Sequence, residues 1–182
     1  MKPLKEKKCK IGGEKFVPVR PFQPTCFKHA PEWLKQQQAK KWRKEGKVMK
    51  DKIKTHSQWI QELQVIFNRY IRLRDRGQLC ICCDKTLKDS GVWKFQYDAG
   101  HFLSTGSYPN LRFNEDNCHG QTVHCNRDKH GNQLEYAIRL PKRIGEQRYQ
   151  DLLKHRSEPL KLSIPEIKDL KTHYRKLITN LK

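Results

Sequence analysis

From residue 98 to residue 131 the chain reads DAGHFLSTGSYPNLRFNEDNCHGQTVHCNRDKHG, and CICC stands upstream at 80 to 83. Histidines, asparagines, an aspartate and cysteines are set there among glycines and turn formers. That is the make-up of a metal site and not of an apolar core. The rest of the chain reads as scaffolding for it. Cys80 and Cys83 form a C-x2-C frame, a separation at which a tight turn presents two thiolates to one tetrahedral zinc, with Cys82 as the spare. Cys125 is followed at once by Asn126. A cysteine-asparagine pair that closes a knuckle and opens a helix sends thiolate and amide oxygen in different directions. One can staple the fold while the other serves a second metal.

The chain carries 39 Lys and Arg against 19 Asp and Glu, a formal charge of +20. A surplus of that size favours a polyanion, because neutralised phosphates release condensed counterions. No apolar run approaches the length of a membrane span, so DNA is the expected partner and a membrane is not. The opening MKPLKEKKCK has charge without an apolar core of the signal-peptide kind, which points to the cytoplasm, that of the host cell if the chain is phage-encoded. Seven cysteines is an odd number. In a reducing compartment clustered cysteines serve metals more often than disulfides.

Four segments follow in order. Residues 1–30 have the outline of a degenerate zinc knuckle, with Cys9, and Cys26 spaced two residues from His29. The position that would complete the first pair is Gly12, which cannot bind metal. Three donors are one short of a closed site, so a Pro-rich extended arm is an equal reading. Residues 31–56 are helix-forming and basic, and Lys40, Lys41, Arg43 and Lys47 there are expected to track phosphates. Residues 57–145 hold the site and the helix before it. Thr55-His-Ser-Gln58 is a capping box, and Trp59, Leu63, Ile66, Phe67, Tyr70 and Ile71 recur at helical spacing. Arg69, Arg72, Arg74 and Arg76 are expected to reach solvent or DNA, and Gly77 to end the helix. VWKFQY at 92 to 97 reads as a strand that leaves His101 where strand gives way to loop. Short helices are expected over 133–140 and 146–155, separated by Pro141 and Gly145. Residues 146–182 close with a capping box, Ser163-Ile-Pro-Glu166, and an apolar helical face expected to pack on the helix from Gln58 to Arg76. A homodimer seam is the rival use of that face.

CICC, DAGH, LRFNEDN, the Cys125-Asn126 pair, KHGN and RIG at 143 to 145 occur in one order over some sixty residues. In that order they resemble the NinG (Rap) recombination proteins of lambdoid phages, a branch of the His-Me finger (HNH) nucleases. The resemblance implies an α+β protein with a zinc-stapled ββα-metal core flanked by basic helices, cutting branched DNA such as Holliday junctions and leaving 5′ phosphate and 3′ hydroxyl ends. It implies His101 as general base, Asn117 as the motif's central asparagine, and Asp98 and Asn126 as ligands of a catalytic Mg2+ or Mn2+, with His130 as a further candidate. Asp98 lies three residues before His101, whereas many relatives place the carboxylate next to the histidine. Arg112, Arg127 and Lys129 are further candidate DNA contacts beside this centre. The structural Zn2+ would take Cys80, Cys83 and Cys125. The family's usual fourth cysteine is here Thr122, so Cys118 is the expected stand-in, with His119 and His124 as alternatives. A non-catalytic zinc module that holds nucleic acid for a recombination complex explains the charge and the cysteines equally, but not the grouping of His, Asp and Asn beside them.

Overall fold

The computed structural model describes residues 4–88 and 96–181. The chain divides into two compact units, Met1–Lys54 and Thr55–Lys182. In the first, β1 (Lys7–Lys8) and β2 (Lys15–Phe16) pair antiparallel, Lys7 opposite Phe16. A short turn, Phe27–His29, then feeds α1 (Ala30–Ile53), with Pro31 in the first turn where its missing N–H is not needed. Helix α1 buries none of its side chains and exposes Trp42, Met49 and Ile53 beside its lysines.

The second unit is built around an antiparallel hairpin, β3 (Tyr97–His101) with β4 (Cys118–Thr122), in which His101 faces Cys118 and Asp98 faces Gln121. Of the strand expected over 92–97, only Gln96 and Tyr97 lie among the described residues; the strand that forms runs on to His101 as its last residue. Ahead of the hairpin comes α2 (His56–Arg74), whose capping box forms as expected: Thr55 Oγ1 accepts from the Gln58 N–H at 3.3 Å and Gln58 Oε1 from the Thr55 N–H at 2.9 Å. Leu63, Phe67 and Ile71 are fully buried on one α2 face, each worth roughly 2–3 kcal/mol of burial.

That face meets α5 (Ile164–Asn180), through Ile167, Tyr174 and Ile178. The apolar stripe of the last helix is thus used inside the chain, with Leu181 at its end still exposed. Between hairpin and α5 lie α3 (Gln133–Ile144) and α4 (Glu146–Lys154). The expected break at Pro141 does not occur: α3 runs through it, and the chain turns instead at Gly145, whose φ of 89° is left-handed and suits glycine.

The hairpin is held by Asp75, next after α2. Its carboxylate is 3 % exposed and takes the Arg74 Nε at 2.7 Å and the Gly120 N–H of β4 at 2.7 Å. Arg74 continues to the carbonyls of Glu115 at 3.2 Å and Cys118 at 2.8 Å. Arg74 was expected to face solvent or DNA; it turns inward, its donors taken up by the Asp75 carboxylate and two backbone carbonyls. On the same edge of β4 the Gly120 carbonyl accepts from Ile81, which docks the CICC segment. Removing Asp75 takes the adjoining carboxylate from a largely buried guanidinium and leaves the buried Gly120 amide without its acceptor. Asp75→Ala is expected to lower unfolding stability by about 3 kcal/mol or more, read as a shifted denaturant midpoint; an unshifted midpoint would exclude the clamp.

Candidate metal centre and histidine site

Strand alternation puts Asp98 and Gly100 on one face of β3, and Tyr97, Ala99 and His101 on the other. The His101 ring packs 6.3 Å from Phe67, centre to centre, on the α2 side. Its Nε2 lies 2.9 Å from the Arg112 carbonyl oxygen. A carbonyl only accepts, so Nε2 carries the proton and Nδ1 is left as the basic nitrogen. Nδ1 is 3.8 Å from Cys118 Sγ, a long contact with a thiol that burial keeps protonated. Desolvation by burial and, less, the Arg112 charge push the His101 pKa below its usual 6.5. The ring is therefore neutral at pH 7.

Asn117 sets the loop that makes this possible. Its side chain is fully buried; Oδ1 accepts from the Leu103 N–H at 2.7 Å, and Nδ2 donates to the carbonyls of Leu103 at 2.9 Å and Leu111 at 3.1 Å. Leu111 adjoins Arg112, the residue that pins His101. Asn117 was expected among the catalytic residues; in the structure both polar atoms of its side chain bond backbone.

On the other face, Asp98 is engaged by Arg127, Nε at 2.8 Å and Nη2 at 3.0 Å, and by Asn126 Nδ2 at 3.1 Å. Burial raises the Asp98 carboxyl, but these donors hold it below the ordinary range. With Nδ2 committed, Asn126 Oδ1 points at Gly100, where an added Cβ would lie 3.1 Å from it. A side chain at 100 would also run into Gln121 Oε1, whose oxygen is buried with no hydrogen-bond partner. Glycine beside two amide oxygens is a requirement of this site. Gln121 was not singled out in the sequence; its alternation with His119 along β4 was the only signal. Of the remaining candidates, His130 is exposed in a left-handed turn at φ 49° and Lys129 is exposed, while Arg112 is half-buried against Gln64 and Thr105.

The thiols gather as their spacing suggests. Cys80, Cys83 and Cys125 present sulfurs within 4.8 Å of one another, with Cys83 and Cys125 at 3.7 Å. Two thiolates bound to one tetrahedral zinc lie about 3.8 Å apart, from bonds of about 2.3 Å, so the residues fit such an ion. A hydrogen bond from the Cys82 thiol, opposed by burial and helped by the Thr122 N–H, pulls Cys80 down to about 4. Cys125 and Asn126 sit on a wide turn, His124–Asp128, and face apart as expected.

The expected fourth ligand, Cys118, does not join this group. Its place in β4 opposite His101 turns it to the α2 face. His119 is buried with Nδ1 3.2 Å from Tyr136 Oη, and His124 pairs with Asp128 at 3.0 Å on the surface. The near neighbour is Thr122, with Oγ1 3.9 Å from Cys80 Sγ. Among the described residues one other group converges, Cys9, Glu14, Cys26 and His29. Glu14 had not been expected there, since a carboxylate two residues past Gly12 matches no cysteine spacing.

The whole chain, residues 1–182, matches the family described as Bacteriophage Lambda NinG protein. The chain belongs to the NinG family. It is similar to Protein ninG of Escherichia phage lambda, 37% identical over 136 residues covering 75% of this chain and 63% of that protein. It is also similar to Protein ninG of Escherichia phage 933W, 33% identical over 195 residues, 97% of this chain and 94% of that one. Salmonella phage P22 has a Protein ninG that is 36% identical over 75% of the chain and 64% of its own length. The match to the lambda protein thus spans less than two thirds of that relative. No solved structure matches the chain. No helix of the described residues is long and apolar enough to cross a membrane.

Two measurements check this geometry. Burial, and less strongly the Arg74 charge, depress His119 to about 3. Both His101 and His119 then bind fewer protons folded than unfolded. Their contribution to stability is full above pH 6.5 and is lost as pH falls, for His119 down to about 3, at ~1.4 kcal/mol per pH unit for one proton. His119→Gln is expected to flatten the stability curve between pH 6.5 and 4, and an unchanged slope would show that His119 titrates normally. Cys125→Ser is expected to remove one equivalent of bound zinc, whereas Cys118→Ser leaves the stoichiometry as it was.

Proposed function

We propose that this chain is a DNA endonuclease of the His-Me finger kind, hydrolysing phosphodiesters at branched, junction-like DNA with a divalent cation. The observation that carries the proposal is His101, at the end of the first strand of a ββα arrangement, neutral, with Nε2–H fixed on the Arg112 carbonyl and Nδ1 left as the base. A phosphodiester repels nucleophiles by its own charge and has a poor alkoxide leaving group. A neutral imidazole takes a proton from the attacking water and so raises its nucleophilicity.

Asp98 and Asn126 Oδ1 are the donors that would hold a hard cation, and Mg2+ is commonly held by one or two carboxylates with water and phosphate filling the rest. When bound, such an ion offsets charge on the phosphate and on the departing 3′ oxygen. Arg127 now neutralises Asp98, which marks this face as one that wants positive charge. The base and the oxygen donors stand on opposite faces of β3, so the scissile phosphate must lie across the end of that strand to meet both. Lys40, Lys41, Arg43 and Lys47 on α1 are all exposed, as backbone tracking requires. The three thiols would hold the structural zinc that keeps the Cys125-Asn126 turn in place. Asn117 would act through the 103–112 loop and not on the substrate.

The test is a labelled four-way junction, with linear duplex and single strand beside it, incubated with wild type and His101→Ala, with and without Mg2+. Cutting of the junction by wild type with Mg2+ is expected, reduced about 10²- to 10⁴-fold in His101→Ala with binding retained. Equal cutting by both proteins would remove His101 as base. Binding without cutting by wild type would favour a non-catalytic zinc module.

A further inference from the structure

The N-terminal hairpin brings together four side chains that come from three places in the chain: Cys9 after β1, Glu14 before β2, and Cys26 and His29 around the turn into α1. His29 Nδ1 lies 2.9 Å from Glu14 Oε1, 3.3 Å from Cys26 Sγ and 3.6 Å from Cys9 Sγ, and Cys26 Sγ lies 3.1 Å from Glu14 Oε1. All four donor atoms are within 4.8 Å of one another. For a tetrahedral zinc with bonds of about 2.3 Å to sulfur and about 2.0 Å to nitrogen or oxygen, the edges are about 3.5 Å from sulfur to a light donor and about 3.3 Å between light donors. The His29–Cys9 separation matches such an edge, and the other three are shorter than theirs by about 0.2 to 0.4 Å.

We propose that Cys9, Glu14, Cys26 and His29 form a second metal site, for one Zn2+ held by two thiolates, an imidazole and a carboxylate. The assignment stands apart from the nuclease reading. Gly12 is where the sequence lacked a donor, and the structure shows what replaces it: a Cβ at 12 would collide with the Glu14 carboxylate and with His29. Glu14 thus fills the space that a side chain at 12 would need, and its oxygen supplies the fourth donor.

A second observation favours an ion over a cluster of hydrogen bonds: two-residue strands in a segment where only Cys9, Pro18 and Thr25 are buried among the described residues up to His29 have no core of their own. A scaffold that small needs a staple. The ion supplies it by tying both strands to the first turn of α1.

The experiment uses the full chain, loaded with Zn2+ and titrated with a chromogenic chelator, then loaded with Co2+ for its thiolate charge-transfer and ligand-field absorption. Wild type is expected to hold two zinc ions. Cys26→Ser is expected to hold one, and Glu14→Gln to hold the second about tenfold or more weakly, by analogy with the loss seen when a metal site's support is removed. The Glu14 side chain is 43% exposed, so that variant keeps its fold. In the double variant Gly12→Cys with Glu14→Ala the second ion is expected to return, with Co2+ charge-transfer intensity for one more thiolate. A single zinc in wild type, or a count of two in Cys26→Ser, overturns the site. Unchanged affinity and Co2+ spectrum in Glu14→Gln overturn the carboxylate's place in it.

Discussion

A carboxylate with almost no access to water joins the end of α2 to the outer edge of β4. Asp75 binds Arg74 on one side and the Gly120 N–H on the other, while Arg74 spends its remaining donors on the carbonyls of Glu115 and Cys118. A buried charge so fully partnered tolerates few alternative placements, because any shift of the hairpin strands a charge or an amide. Register, depth and tilt of β3 and β4 against α2 follow from it. So does the position of Ile81, paired to the same glycine, and therefore of the thiols on either side of it.

From that anchor the site is assembled by division of labour between two faces. Toward α2, His101 is desolvated, pinned by Arg112 and kept neutral; toward α3, Asp98, Asn126 and Gln121 crowd their oxygens and amides around a glycine with no room for a side chain. Asn117 couples the two by bracing the loop that supplies the Arg112 carbonyl. Tyr136 adds a second brace, its hydroxyl donating to the Gly100 carbonyl at 3.1 Å and meeting His119 at 3.2 Å. Single side chains here act mostly by holding backbone, and the chemistry is left to a few atoms.

The two clusters of potential metal ligands follow different logics. In the core, Cys80, Cys83 and Cys125 are covered by Ile81, Leu87 and Tyr97, and ligation would add to packing that already exists. In the N-terminal unit the donors lie in a segment with almost nothing to bury, so ligation would stand in for packing.

The sequence by itself determined what depends on neighbours a few residues apart. Both capping boxes, the buried stripe of α2, the apolar face of α5, the C-x2-C frame and the turning apart of Cys125 and Asn126 are local rules of spacing, and they appear as read. Membership of the NinG family was likewise legible from ordered short motifs. What tertiary structure decided were partners distant in the chain. It turned Arg74 inward onto the Glu115 and Cys118 carbonyls, sent Cys118 to His101 through strand register, committed Asn117 to a loop, carried α3 through Pro141, and brought Glu14 to Cys26 and His29. Those outcomes are settled by which groups the fold packs against one another, and local spacing of residues along the chain does not contain that.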